Sequence, residues 1–284
     1  MVDTIHCPIK INLILRVYSK LPNGYHEIYS LFWQKTAVER LTIHPKYDEI
    51  IGDSLNIKGM KIDGENLVTK ALAAARRHKS IPPLELTLEK FFPAGSGIGA
   101  GSGNAGALLR LLAAEYGAHP DAEETARLGA DVAFLASENI MAEARGIGEK
   151  MTPFTPPFDF RWLLVFPKWS SGTREAYAKL DALREARSAT HRADEAADMQ
   201  KIEALACGER VGLLPNDFYE VSAEEHAEYA AAGKAAKASG ARGWGLCGSG
   251  SAFFALYANA GETATQAART FEKMDWVLKT YIVE

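Results

Sequence analysis

Glycine alternates over nine positions in the stretch Pro93-Ala-Gly-Ser-Gly-Ile-Gly-Ala-Gly-Ser-Gly-Asn104, at Gly95, Gly97, Gly99, Gly101 and Gly103. A chain so poor in Cβ atoms loses the most entropy on ordering, so it suits a loop that wraps something closely better than a regular element. A period-2 segment, Leu84-Glu-Leu-Thr-Leu-Glu-Lys90, leads in and reads as a strand. Past the glycines, Ala105, Leu108, Leu109 and Leu112 share one face of an amphipathic helix, expected to start where the glycines stop. Strand, glycine loop and helix N-terminus together make a phosphate cradle. Consecutive N–H groups form an anion nest, and the first helical turn adds unpaired donors and the positive dipole end. A flexible linker is the weaker alternative, because linkers rarely run directly into so apolar a helix.

The loop is not of the Walker A type, since no Gly-Lys-Ser/Thr follows four variable residues. Gly95-x-Gly97-x-x-Ala100 fits a relaxed dinucleotide fingerprint. That fold also wants an acidic residue at a strand end ~20 residues on. Here Glu115 and Asp121 fall in or after the helix, which ranks this reading low. With 284 residues, 47% of them hydrophobic, the chain has material for two domains with real cores. A net charge of −4, with Lys and Arg spread out, argues against a nucleic-acid surface. Cys7, Cys207 and Cys247 are odd in number, far apart and without zinc spacing, which suits a reducing compartment. Lys10 and Asn12 interrupt the early apolar run, so no signal-peptide core is expected. No apolar run approaches the ~20 residues that cross a bilayer. The expectation is a soluble cytoplasmic protein.

From Ile9 the chain alternates, with Ile9, Ile11, Leu13, Leu15 and Val17 on one side and Lys10, Asn12, Ile14, Arg16 and Tyr18 on the other. This predicts a strand with one dry face. Pro22-Asn-Gly24 signals a turn, with Tyr25-His26-Glu27 directly after it. Strands are expected over 28–33, 38–43 and 49–57. Asn66 is placed to cap a helix. Asp121-Ala-Glu-Glu124 has capping-box form for a helix through Leu128, ended by Gly129, with Asp131 in the turn beyond. Residues 141–151 read as a strand running into a loop. Three prolines in 152–157 mark the best domain boundary. Beyond it come a buried strand over 162–166 and helices over 172–183 and 192–205. Ser222-Ala-Glu-Glu225 reads as a capping box for a helix ending near Gly240. A glycine-rich strand over 243–257, a helix from about Glu262 and a strand over 276–283 follow. Strands alternating with helices in each half favour two α+β units.

Several side chains could carry chemistry. Lys10 sits among Ile and Leu, although a surface lysine on an edge strand fits the pattern as well. Asp131 is equally readable as a helix-flanking cap. Gly245-Leu-Cys-Gly-Ser-Gly-Ser-Ala252 is a second glycine cluster, and two such loops can hold a polyphosphate and its target from two sides. His26, beside the aromatic Tyr25, suits stacking on and hydrogen bonding to a base, but also an ordinary turn. The remaining histidines show no metal spacing.

The ordered set resembles a known family. Residues 93–105 are similar to the ATP loop of the galactokinase, homoserine kinase, mevalonate kinase and phosphomevalonate kinase superfamily. Within it, Pro8-x-Lys10-x-Asn12-Leu, Asn23-Gly-Tyr-His-Glu27 and Leu31-Phe32 resemble the 4-diphosphocytidyl-2-C-methyl-D-erythritol kinase family. Glu65-Asn66-Leu67, Gly129-Ala-Asp131-Val, Gly146-x-Gly-Glu149, Asn216-Asp217 and Gly248-Ser-Gly-Ser251 follow in the expected order, so the likeness spans nearly the whole chain.

The resemblance implies an α+β, two-domain small-molecule kinase. Residues 1–153 would form a ribosomal-S5-domain-2-like ATP-binding domain, and 154–284 a ferredoxin-like substrate-side domain. It implies ATP, with magnesium accompanying it on unassigned ligands. The acceptor is a small molecule, a cytidine-diphosphate-linked methylerythritol, with no nucleic acid or membrane partner and a monomer or weak homodimer. By the same resemblance, Lys10 and Asp131 are the catalytic pair. The ATP loop comprises Pro93, Ala94, Gly95, Ser96, Gly97, Ile98, Gly99, Ala100, Gly101, Ser102 and Gly103. Tyr25 and His26 match the cytosine-binding segment, Tyr177 closes the other face of the base, and Asn12 holds the sugar-alcohol or diphosphate end. The chain departs from the family at Ser96 and Ala100, where glycine is usual, at Gly103, where a second serine is usual, and at Ala133, where proline is usual. Ala100 fits only with a negative φ.

Overall fold

The computed structural model of the protein describes residues 3–46, 52–60, 65–155, 159–186, 193–259 and 262–284. Its first sheet is built on a long antiparallel hairpin, β1 (Asp3–Lys20) and β2 (His26–Pro45), turned at Pro22-Asn-Gly24, where Gly24 takes a φ of 86°. The other edge of β2 is shared by two strands. β4 (Leu84–Glu89) pairs with Arg40–Pro45, and β5 (Met141–Arg145) pairs with Ser30–Trp33. β3 (Ser54–Lys58) lies parallel to β4, and β6 (Lys150–Pro153) lies antiparallel to β5. The second sheet is ordered β11 (Val277–Val283), β7 (Phe160–Pro167), β10 (Phe253–Ala258), β9 (Gly243–Leu246) and β8 (Gly212–Leu213). The change of sheet falls between Pro153 and Phe160.

Helices cover the outer face of each sheet. α1 (Leu67–His78), α2 (Ala100–Tyr116), α3 (Ala122–Leu128) and α4 (Ala130–Ala136) belong to the first half. α5 (Thr173–Ala186), α6 (Glu195–Ala206), α7 (Phe218–Glu225), α8 (Glu228–Ala238) and α9 (Thr263–Phe271) belong to the second. Leu41, Leu86 and Leu88 bury against Leu72, Leu108 and Leu112 of the helices. Between the sheets, Ile9, Ile11, Leu13 and Trp33 meet Trp162, Leu164, Phe254 and Leu256. On the far side, Leu163, Val165 and Phe253 pack on Leu180, Tyr229 and Phe271. The result is four layers: helices, sheet, sheet, helices. In the second half, β7, α5, β9, β10, α9 and β11 follow the β-α-β-β-α-β order of a ferredoxin-like unit, with α6, β8, α7 and α8 inserted.

This layering overturns the expectation of one dry face on the first strand. All residues from Cys7 to Leu15 are buried, because one side of β1 meets the second sheet and the other meets helices. The alternation is also broken by a bulge between Asn12 and Ile14, which sets Ile14 opposite Leu31. The helix after the glycine loop starts earlier than expected, at Ala100, so Gly101 and Gly103 are helical. Close packing explains this. A Cβ on Gly103 would lie 1.8 Å from the Pro8 carbonyl oxygen, so α2 reaches β1 only through a glycine.

Four other expectations are corrected. Asp131 lies in the first turn of α4, not in a turn beyond α3, and Val132–Leu135 is helical. Ser222 lies inside α7 and opens no helix; α8 starts separately at Glu228. The expected strand over 243–257 is two, β9 and β10, paired antiparallel around the second glycine cluster. The expected strand over 38–43 is the second half of β2. Residues 49–51, Pro156, Pro157 and Arg192, which figured in the expected strand, boundary and helix, lie outside the described residues. The Asn66 and Asp121 caps form, accepting from Val68 N–H and Glu124 N–H at 2.9 and 2.7 Å. Among the described residues no helix is long and apolar enough to cross a membrane.

Gly103→Ala is expected to lower unfolding stability by about 1–3 kcal/mol through overpacking against Pro8. Gly101→Ala, whose Cβ would meet only Leu67 at 3.9 Å, should leave stability unchanged or slightly raised. Urea unfolding of the two variants side by side checks the contrast.

Candidate active site

The glycine loop lines a cleft of about 560 Å³, within the size range of small-molecule sites. Gly95, Gly97 and Gly99 take positive φ values of 67°, 76° and 67°, a conformation that side chains disfavour. The loop is held from behind by the second glycine cluster. Ser251 N–H donates to Gly95 O at 3.1 Å, and Ala252 N–H donates to Ser96 O at 3.1 Å. A Cβ on Gly97 would stand 1.8 Å from Cys247 O, so the two loops touch backbone to backbone. Asn216 fixes the second loop by donating to Leu246 O and Gly248 O at 3.0 and 2.9 Å. Burial pushes the Cys247 thiol up to about 12, so it sits beneath the loop as a neutral group. Ala100 is helical, which supplies the negative φ it requires.

Lys10 reaches the cleft from β1. Its backbone N–H donates to Ile98 O at 2.9 Å, while Ile98 itself is buried between the sheets. Its Nζ lies 3.4 Å from Asp131 Oδ2 and donates to Asn12 Oδ1 at 2.9 Å. Asn12 in turn donates to Ser30 Oγ at 2.8 Å. The ammonium also lies 5.4 Å from the Phe32 ring centroid, a cation–π contact. Lys10 is only 4% exposed, which rules out the surface-lysine alternative. Burial of a single charge is costly, and Asp131 with Asn12 supplies the partners that offset it.

A second buried charge anchors the base of the loop. The Glu39 carboxylate, on β2, accepts from Phe91 N–H and Phe92 N–H at 3.0 and 2.9 Å and from Asn104 Nδ2 at 2.9 Å. Lys90 pairs with it and also donates to Asn104 Oδ1 at 2.9 Å. Glu39 therefore ties the chain entering the loop to the first turns of the helix leaving it.

At the other end of the cleft, His26 stacks on Tyr177 with ring centroids 4.9 Å apart. Tyr177 packs face to face on His26. Burial, with the Asp131 charge adding to it, pushes the Tyr177 phenol up to about 12 and keeps it a donor. Tyr25 is 62% exposed beside them.

Lys10, Asn12, Asp131, Tyr177 and most of the loop thus share one cleft. Ile98 and Gly103 serve packing, and Tyr25 and His26 stand at its margin rather than in its lining. Residues 66–142 match the family described as GHMP kinases N terminal domain. A 4-diphosphocytidyl-2-C-methyl-D-erythritol kinase of Porphyromonas gingivalis is 33% identical over 87% of this chain and 89% of its own length. The chain belongs to the 4-diphosphocytidyl-2-C-methyl-D-erythritol kinase family. A family member from Chloroherpeton thalassium is 30% identical over 96% of this chain and 95% of its own. A crystal structure of 4-(cytidine 5'-diphospho)-2C-methyl-D-erythritol kinase superposes with a TM-score of 0.77 at 29% identity, covering 99% and 98% of the two chains. A mevalonate kinase from L. major shares the fold, with a TM-score of 0.69 at 15% identity.

Membership of this family makes the chain an ATP-dependent kinase. Gly101 lines the cleft, and a Cβ there would meet only Leu67, at 3.9 Å. Sequence reasoning missed Glu39, Lys90, Asn104 and Asp181. Asp181 had a usable signal, since it follows Tyr177 by four residues and shares its helix face. Glu39 had none, because its partners lie 51 to 65 residues away.

Glu39→Gln is expected to destabilise the fold by about 3–5 kcal/mol, because it leaves Lys90 buried and unpaired. Adding Lys90→Met should restore part of the loss. A double-mutant cycle by chemical denaturation checks this; additive single effects would show no coupling.

Proposed function

We propose that this chain transfers the γ-phosphoryl group of ATP to the 2-hydroxyl of 4-diphosphocytidyl-2-C-methyl-D-erythritol, a step of non-mevalonate isoprenoid biosynthesis. The observation that carries the mechanism is the Lys10–Asp131 pair, 3.4 Å apart in the cleft that the glycine loop lines. Kinases and relatives named for this acceptor supply the substrate. In this reading, Asp131 accepts the proton of the 2-hydroxyl as its oxygen bonds to Pγ. The bond from Pγ to the bridging oxygen breaks, and ADP leaves. Lys10, 3.4 Å from Asp131, steadies the moving charge. Loop amides hold the phosphates, and Asn12 holds the sugar-alcohol or diphosphate end. Tyr25 offers a stacking platform for the cytosine, worth roughly 1–3 kcal/mol, and His26 reads its edge.

Magnesium belongs to the same reading. Among the described residues no three His, Cys, Asp or Glu side chains cluster as a metal site. A magnesium ion that arrives on ATP and keeps most of its waters needs only one or two protein oxygens. The Ser102 hydroxyl in the cleft lining would supply one, and the ion would neutralise phosphate charge. The reading also takes 1–153 as the nucleotide half and 154–284 as the substrate half. It takes the protein as cytoplasmic, in keeping with three free cysteines, and as a monomer or weak homodimer.

Asp131→Asn should lower kcat by about 100-fold or more while ATP binding persists. Lys10→Met should also act mainly on kcat. Steady-state kinetics with the cytidyl alcohol, homoserine and mevalonate as acceptors test the whole assignment. Phosphorylation of homoserine or mevalonate, but not of the cytidyl compound, would reverse it.

A further inference from the structure

His26 is clamped by one face of α5. Tyr177 stacks on its ring, and Asp181, one helical turn further on, places Oδ1 2.8 Å from its Nε2. The other Asp181 oxygen lies 3.8 Å from Lys20 Nζ. A carboxylate only accepts, so Nε2 carries the hydrogen of this bond. In the Nε2–H tautomer, the ring nitrogen left to accept is Nδ1. Nδ1 has no hydrogen-bond partner among the described residues. Tyr25, the preceding residue, is exposed, and Ile28, two residues along β2, lines the cleft.

A fixed acceptor next to an aromatic platform discriminates between pyrimidines. Cytosine carries an amino donor at its 4-position, whereas uracil carries a carbonyl there, which would set two acceptors against each other. We infer that Asp181 is a positioning residue that makes this site select cytosine over uracil, by holding His26 as the Nε2–H tautomer with Nδ1 aimed at the base amino group. This rests on the cytidyl acceptor proposed above. Asp181 does not line the cleft. Its effect is confined to the choice of base, and it acts through one imidazole.

The test measures kcat/KM for cytidine- and uridine-diphosphate-linked methylerythritol, with KM for ATP in the same assays. Wild type should prefer the cytidyl acceptor by about 100-fold or more, the size of effect expected when a site hydrogen-bonds a substrate group. Asp181→Leu should cut that preference at least ~10-fold, mainly through KM of the cytidyl acceptor, with KM for ATP unchanged. Asp181→Asn should retain most of it, since its amide oxygen can still accept from Nε2–H. An unchanged preference in Asp181→Leu overturns the inference, and so does a parallel rise in KM for ATP. A wild type that ignores the cytidyl acceptor removes the substrate assignment itself, which is a separate failure. Should Asp181→Leu not fold, ring ¹⁵N shifts of wild-type His26, assigned with His26→Gln, decide. A bare Nδ1 supports the inference, and an Nδ1–H tautomer overturns it.

Discussion

The free edge of β1 is where the two halves of the site are joined. One edge of this strand pairs with β2. Its other edge takes no strand but two loops. Lys10 N–H donates to Ile98 O in the glycine loop at 2.9 Å. Five residues on, Leu15 N–H donates to Pro215 O, and Leu15 O accepts from Asp217 N–H, at 2.9 and 3.0 Å. An uncovered edge would be a liability for aggregation. Here it becomes the rail on which the first glycine loop and the support of the second are mounted. The Lys10 backbone places the loop, and the Lys10 side chain, leaving the same residue, reaches Asp131 at the N-terminal end of α4.

Glycine does two different jobs along the alternating run. At positions 95, 97 and 99 it permits positive φ, and at 97 it also permits backbone contact with Cys247. At 103 it permits a helix to touch a strand. The first job shapes the loop that lines the cleft. The second explains why one regular pattern spans both a loop and the first turn of a helix, and why Gly103 stands where a family serine is usual. A hydroxymethyl group there would need β1 and α2 to move apart.

Among the described residues several buried or half-buried charges are paired across distant elements. Lys10 meets Asp131, Lys90 meets Glu39, and Arg16 meets Asp198 and Asp217. The last group links β1 to α6 and to the loop before α7, across the two halves of the chain. Such pairs add little net stability over apolar packing, yet they penalise wrong registers strongly, because a slipped strand leaves a charge unpaired. A strand with bulges and two buried faces benefits from that penalty, since its hydrophobic pattern alone would allow slippage.

Local order was legible in the residues. The glycine run, the apolar helix after it, the Asn66 and Asp121 caps and the turn at Asn23-Gly24 all rest on neighbours within a few positions. So does the placement of Lys10 with Asn12, two residues apart on one strand. The pairing of Lys10 with Asp131 came from resemblance, and only tertiary contact sets its 3.4 Å. What tertiary structure alone decided is what depends on partners far along the chain: the burial of both faces of β1, the Glu39 anchor, the Asp181 hold on His26 and the contact of the two glycine loops. A hydrogen bond across 155 residues leaves no period in a sequence, because nothing local constrains either end until the sheets close.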